Sequence, residues 1–105
     1  MKVVAYTPIN FTEKELIAGM LNNDKKCFSQ IYDTHAAKLF GLILRWVKEK
    51  DTAEILLCNA FTKAWHNKYL FETETEGLFC WLCRLARICY HENSVEELYK
   101  KNSGF

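Results

Sequence analysis

The chain has little of what interrupts helices: one proline and four glycines in 105 residues. An interior proline costs a helical hydrogen bond and clashes with the turn before it, so this scarcity favours long helices joined by short connections. No apolar run reaches the roughly 18 residues of a membrane span. The N-terminus also lacks the basic and apolar regions of a secretory signal. A soluble cytoplasmic protein, with no membrane partner, is the expectation. There is no surplus of charge either. The net value of +1 is unlike that of a protein that grips nucleic acid unaided. Five cysteines are an odd number and give no closed disulfide framework, so they read as reduced thiols, mostly small core residues. No glycine-rich phosphate loop and no nucleophile–base pair is legible, so neither an enzyme nor a cofactor is expected. What is present is apolar material. Half of the residues are hydrophobic, enough for one sizeable core in one domain.

Along the chain, residues 1–11 form an arm in which Val3 to Tyr6 could be extended and Pro8 stops any helix. Thr12 and Glu15 make a capping box, with Phe11 and Leu16 at the positions of a hydrophobic staple. The first helix then spans about Glu13 to Leu21. Asp24 caps a long second helix, about Lys25 to Glu49, with an apolar stripe from Phe28 to Val47 that Asp33-Thr34 could kink. His66 to Glu74 is a linker whose Tyr69, Leu70 and Phe71 should lie against the core. The fourth helix is expected from Thr75 or Glu76 to about His91. Ser94 and Glu97 form a further capping box for a short C-terminal helix in a tail of residues 93–105. The fold class is all-α, a compact bundle of three to four helices over residues 12–92.

The stretch Asp51 to Trp65, DTAEILLCNAFTKAW, organises the rest. Asp51 and Glu54 suit a capping box, and Ala53, Leu56, Leu57, Ala60, Phe61 and Ala64 recur on one helical face. The run from Ala53 to Trp65, A-E-x-L-L-x-x-A-F-x-K-A-W, resembles the second-region helix of bacterial RNA polymerase sigma factors. The likeness is closest to their extracytoplasmic-function group, within the sigma-seventy family. Two further blocks agree in order and spacing. Glu15-Leu16-Ile17 with Asp24, Phe28, Ile31 and Tyr32 resembles the family's first conserved helices. Trp81-Leu82 with Leu85-Ala86-Arg87 resembles its promoter-reading W-L-x-x-I-A-R segment. The likeness covers Glu15 to Glu92, about three-quarters of the chain.

The resemblance implies a role in transcription initiation, with core RNA polymerase and promoter DNA as partners. The Ala53 helix would dock on the polymerase clamp through Glu54, Ile55, Cys58, Asn59 and Thr62. The linker and fourth helix would hold a base flipped from the melted minus-ten strand. That task needs rings and cations: Tyr69, Phe71, Phe79 and Trp81, with Lys63, Lys68, Arg84 and Arg87. Ile88 stands where the family has an asparagine. Other departures are Ile55, where the family has an acid, and Cys58-Asn59, where it has a glutamine and an acid. They turn a charged docking surface into a more apolar patch. From Glu76 to Phe105 four cations (Arg84, Arg87, Lys100, Lys101) meet four acids (Glu76, Glu92, Glu96, Glu97), where the family is strongly basic. DNA binding by the isolated chain should therefore be weak. The chain also ends about where a linker to the family's minus-thirty-five-reading domain would begin. It is read as one domain of a longer protein or as a single-domain relative.

Each motif has a plainer counterpart. Cys80 and Cys83 form a C-x-x-C, but Cys80 and Cys89 fall about 180° apart on one helix, so no metal site is expected. His35 reads as a satisfied core histidine, and Trp65 and Trp81 as core anchors. Lys38, Arg45, Lys48 and Lys50 read as a solvated face. Two readings stay open: a promoter-melting domain, or the same frame reused as an interaction module. The module would bind an anti-sigma-like partner or a second copy through Ile55 and Cys58.

Overall fold

Thr12 starts the first helix as its spacing predicts. Its hydroxyl accepts the Glu15 N–H at 3.1 Å, and the Glu15 carboxylate accepts the Thr12 N–H at 2.9 Å. A computed structural model describes residues 11–71 and 76–103, with no side chains described beyond Ser94. Four helices follow in order: α1 (Glu13–Leu21), α2 (Lys25–Val47), α3 (Lys50–His66) and α4 (Leu78–Ser103). A short 3-10 turn, Lys68–Leu70, lies between α3 and α4. There is no strand among the described residues, so the bundle is all-α. No described helix is long and apolar enough to cross a membrane. The expected extended piece in the N-terminal arm lies outside the described residues.

Asp24 caps α2 through the Lys26 N–H at 2.9 Å. The helix then runs unbroken through Asp33-Thr34, because Thr34 turns its hydroxyl back to the Gln30 carbonyl at 2.8 Å. Such back-bonding satisfies the side chain without breaking the ladder. α2 stops at Val47, where Lys48 takes a left-handed conformation (φ 59°) and its N–H closes on the Leu44 carbonyl. Asp51 is not the cap of α3. Glu49 is, accepting the Thr52 N–H at 3.0 Å and also the Thr52 hydroxyl. After the left-handed turn at Lys48 the chain reaches helical geometry at Lys50, one residue before Asp51. The fourth helix also departs from expectation. It starts at Leu78 and continues through Ser94 to Ser103 without a separate short helix. Asn93 and Ser94 cost a helix interior only tenths of a kcal/mol, and no glycine or proline interrupts the ladder there.

The core is a single cluster drawn from all four helices, including Met20, Ile31, Leu39, Ile43, Leu56 and Leu82. α3 lies at its centre, packed on both α2 and α4. Ala53, Ala60 and Ala64 on its inner face are fully buried. At about 25 cal/mol per Å2 of apolar area, this cluster supplies the main force that holds the helices together. The linker keeps only part of its expected place: Phe71 is buried, but Tyr69 and Leu70 are 65% and 73% exposed. The thiols differ as well. Cys89 is buried, Cys27 and Cys83 are half-buried, and Cys58 and Cys80 are exposed. Cys89 thus belongs to the core and Cys27 and Cys83 pack against it, while Cys58 and Cys80 do not. In the C-x-x-C that flanks buried Trp81-Leu82, Cys83 still packs against the edge of the core while Cys80 is exposed.

Gly19 of α1 faces Cys27 of α2 so closely that an added Cβ would sit 2.2 Å from Cys27 Sγ and 2.7 Å from its Cβ. The Sγ could turn aside, but a Cβ is fixed to its own backbone and cannot yield like a side-chain tip, so overpacking results. Gly19→Ala should therefore destabilise the fold by about 1–3 kcal/mol, despite alanine's better helix propensity. Chemical denaturation measures this, and a more stable Gly19→Ala variant would contradict the packing.

Candidate functional site

The outer face of α3 is the first surface to consider. Its inner positions are committed to the core, so helical periodicity turns the intervening positions outward. Glu54, Ile55, Cys58, Asn59 and Thr62 are all exposed, with Ile55 at 58%. Beside them α2 and α3 leave an open groove of about 470 Å3. Tyr32, Ala36, Ala37 and Phe40 form its α2 side, and Leu57 and Cys58 its α3 side. Its charges are one Lys50 and one Glu54. Tyr32 continues the apolar surface into a second cleft with Phe28 and Trp65. These rings form a ladder: Tyr32–Phe61 at 4.7 Å, Phe28–Phe61 at 6.1 Å and Phe28–Trp65 at 5.1 Å. Ring packing of this kind rigidifies a surface without closing it.

α4 supplies the second surface. Cys80, Arg84, Arg87, Ile88 and His91 are exposed on it, spaced as one helical stripe. Arg87 lies over the Trp46 ring of α2 at 4.8 Å, and Tyr90 packs on the same ring at 5.7 Å. Nearer the start of α4, Phe79 is half-buried between His35 at 5.6 Å and the Lys38 ammonium at 5.1 Å. The seam between α2 and α4 therefore alternates rings and cations. The sequence pattern placed Lys38 on a solvated face and Trp46 in the apolar stripe of α2, without either ring contact. Each meets its ring or cation across two helices, so no local spacing announces the pair.

The remaining candidates separate by burial. Trp81 is 2% exposed and stacks on buried Phe71 at 4.8 Å; both serve the core. Lys68 is only 5% exposed. Its ammonium donates to the Trp65 carbonyl at 3.1 Å and lies 4.0 Å from the Trp65 ring centre. It therefore closes the C-terminal end of α3, where carbonyls lack helical partners, instead of offering charge to solvent. Lys63 pairs with Glu92 at 3.6 Å, joining α3 to α4. Arg84 is engaged by Glu76: its Nε donates to one carboxylate oxygen at 3.1 Å and its Nη2 to the other. Exposed Tyr69 sits on the rigid turn above Lys68, 4.9 Å from the ammonium. No group of three metal-ligating side chains occurs among the described residues.

With this geometry in view, comparison with known proteins is informative. The ECF RNA polymerase sigma factor SigK of Mycobacterium tuberculosis and that of Mycobacterium bovis each match 89 residues at 20% identity, covering 85% of this chain and 46% of the relative. The chain is similar to RNA polymerase sigma factors. It spans about half the length of the curated relatives it matches. At this identity the likeness supports the sigma-factor family broadly and does not single out a group within it. No protein-family model and no solved structure matches the chain.

His35 makes the α2–α4 seam sensitive to acid. Burial lowers its pKa, Glu13 opposes that shift, and Lys38 adds to it. Above the unfolded value of about 6.5 both states are neutral and the group has no effect. As pH falls below that value the unfolded chain takes the proton first, so stability is lost until the folded value is passed. Urea unfolding at pH 7.5 and 5.5 should show a drop that His35→Gln reduces. An undiminished drop in the variant would assign it to other groups.

Proposed function

We propose that the chain is a sigma-type transcription-initiation domain of the extracytoplasmic-function kind, acting in the cytoplasm. The outer face of α3, with the groove beside it, docks on the clamp of core RNA polymerase. The α4 stripe meets the melted minus-ten strand. The observation that carries this reading is the exposure of Glu54, Ile55, Cys58, Asn59 and Thr62 together, next to an apolar groove between two rigid helices. A helix-sized partner could lay its apolar face there. Supporting it is the similarity to sigma factors over 85% of the chain.

Strand contact in this reading is narrower than the sequence pattern suggests. Arg87, Ile88 and Tyr69 are exposed, and Arg87 is braced on Trp46. An exposed arginine stacked on an indole can take a phosphate or stack on a base. Trp81, Phe71 and Lys68 act behind that surface by fixing α4 and the turn. With few cations on the stripe, binding to DNA is weak alone and depends on the polymerase to bring the strand near.

A second reading is favoured by the apolar character of Ile55 and Cys58 and by the Glu76 pairing of Arg84. Here the same α3 face binds an anti-sigma-like protein or a second copy of the chain, without promoter contact. The two readings part on variants. Under the first, Ile55→Asp alters capture by core polymerase while Arg87→Glu leaves capture intact. Arg87→Glu also lowers affinity for a single-stranded minus-ten oligonucleotide by about tenfold or more, a loss of about 1.4 kcal/mol. Titration by fluorescence anisotropy measures the second effect. Strand affinity unchanged by Arg87→Glu, in a folded variant, would remove the DNA role of α4.

A further inference from the structure

The groove of about 470 Å3 between α2 and α3 has apolar walls, and its two charges, Lys50 and Glu54, stand on one row of α3. They are four positions apart, one helical turn, and both are exposed. A lysine before a glutamate is the weaker order for a pair within one helix. Neither takes part in the ion pairs among the described residues, which are Lys63–Glu92 and Arg84–Glu76. On the facing wall, Ala36 and Ala37 are small and leave α2 low beside the half-buried Phe40 ring.

Opposite charges one turn apart make a row that is complementary to its own reverse. A half-turn about an axis crossing α3 between them lays a second α3 antiparallel over the first. Lys50 of each copy then meets Glu54 of the other. Such a closed contact uses the same patch twice. The rotation also places α2 over α2 of the copy, where the low Ala36–Ala37 wall gives the Phe40 ring room to enter. A partner charged with one sign would gain at one position and lose at the other, so the row favours a partner with the same alternation. The whole chain does not oppose the encounter. Its 14 basic and 13 acidic residues leave a net charge of +1, too little for strong repulsion between copies.

We infer that the occupant of this groove is a second copy of the chain, held by two-fold symmetry through reciprocal Lys50–Glu54 pairs and the α2 walls. The inference rests on the second reading of the α3 face, as an interaction module, and names its partner. A paired copy covers Glu54 and Cys58, so self-association excludes any other protein from that face.

The test is sedimentation equilibrium of the whole 105-residue chain from about 1 μM to about 1 mM, which spans the dissociation constants of weak dimers. The wild type should dimerise. Lys50→Glu and Glu54→Lys should each weaken the dimer by about tenfold or more, since each sets like charges against one another twice. An equimolar mixture of these two variants should dimerise as the wild type does, because opposite charges then meet at both contacts. Ala37→Glu, at an exposed position, should weaken the dimer as well. A wild type that stays monomeric over the whole range would overturn the second copy and leave the module reading to a different protein. Single variants that dissociate but fail to pair when mixed would overturn the reciprocal contact. A dimer that persists in all three variants would overturn the groove as its seat, and if Ile55→Asp is silent too, self-association gives the module reading of the α3 face no support. Circular dichroism of each variant establishes that the helices are intact.

Discussion

Both candidate surfaces depend on the small residues along the inner face of α3. Ala53, Ala60 and Ala64 have no exposed area, and their size lets α2 and α4 approach the α3 axis closely from two sides. Leu56, Leu57 and Phe61 fill the spaces between. Because the buried face of α3 is used completely, its remaining positions have nowhere to go but outward. Its exposed polar and apolar residues are thus presented on a support that cannot easily yield. The same packing holds α4 against α2, which sets Arg87 over Trp46 and leaves the α4 stripe facing away from the core. A larger residue at any of the three alanines would displace a whole helix, since protein interiors have little free volume.

The parts of this arrangement that local chemistry controls were legible in the sequence. The Thr12–Glu15 box needs only its own backbone, as does the Asp24 cap. The apolar spacing of α3 is enough to name its buried face. Local rules failed where two signals competed or where the partner was distant. Asp51 with Glu54 is a good capping pair, but the left-handed turn at Lys48 made Glu49 the earlier and sufficient cap. Ser94 with Glu97 reads as a helix start, yet a helix already under way has no open N–H for it to cap. Lys68 reads as an available cation, and its burial depends on the Trp65 carbonyl and ring meeting it at the turn. The placing of Trp46 under Arg87 is tertiary, so sequence spacing contains no trace of it.

The two surfaces differ in physical character. The α2–α3 groove is apolar and rigid, suited to a partner whose own apolar face needs cover. The α4 stripe is sparse in charge, and its cations are stacked on a ring or paired with an acid. Association through the groove would be governed by shape and burial, and contact through the stripe by proximity of a strand. That ordering fits the proposed role, in which the polymerase is joined first and the strand is met second.

Binding of the α3 face to core RNA polymerase is the proposal on which the functional reading turns. It is tested most directly by retention of the purified, unaltered chain on immobilised bacterial core enzyme at low and moderate salt. Retention at low salt that persists in large part at moderate salt is predicted, because apolar burial is screened far less than surface charge pairs. Absence of retention at both salt concentrations would contradict the claim and leave the α3 face to a different protein partner.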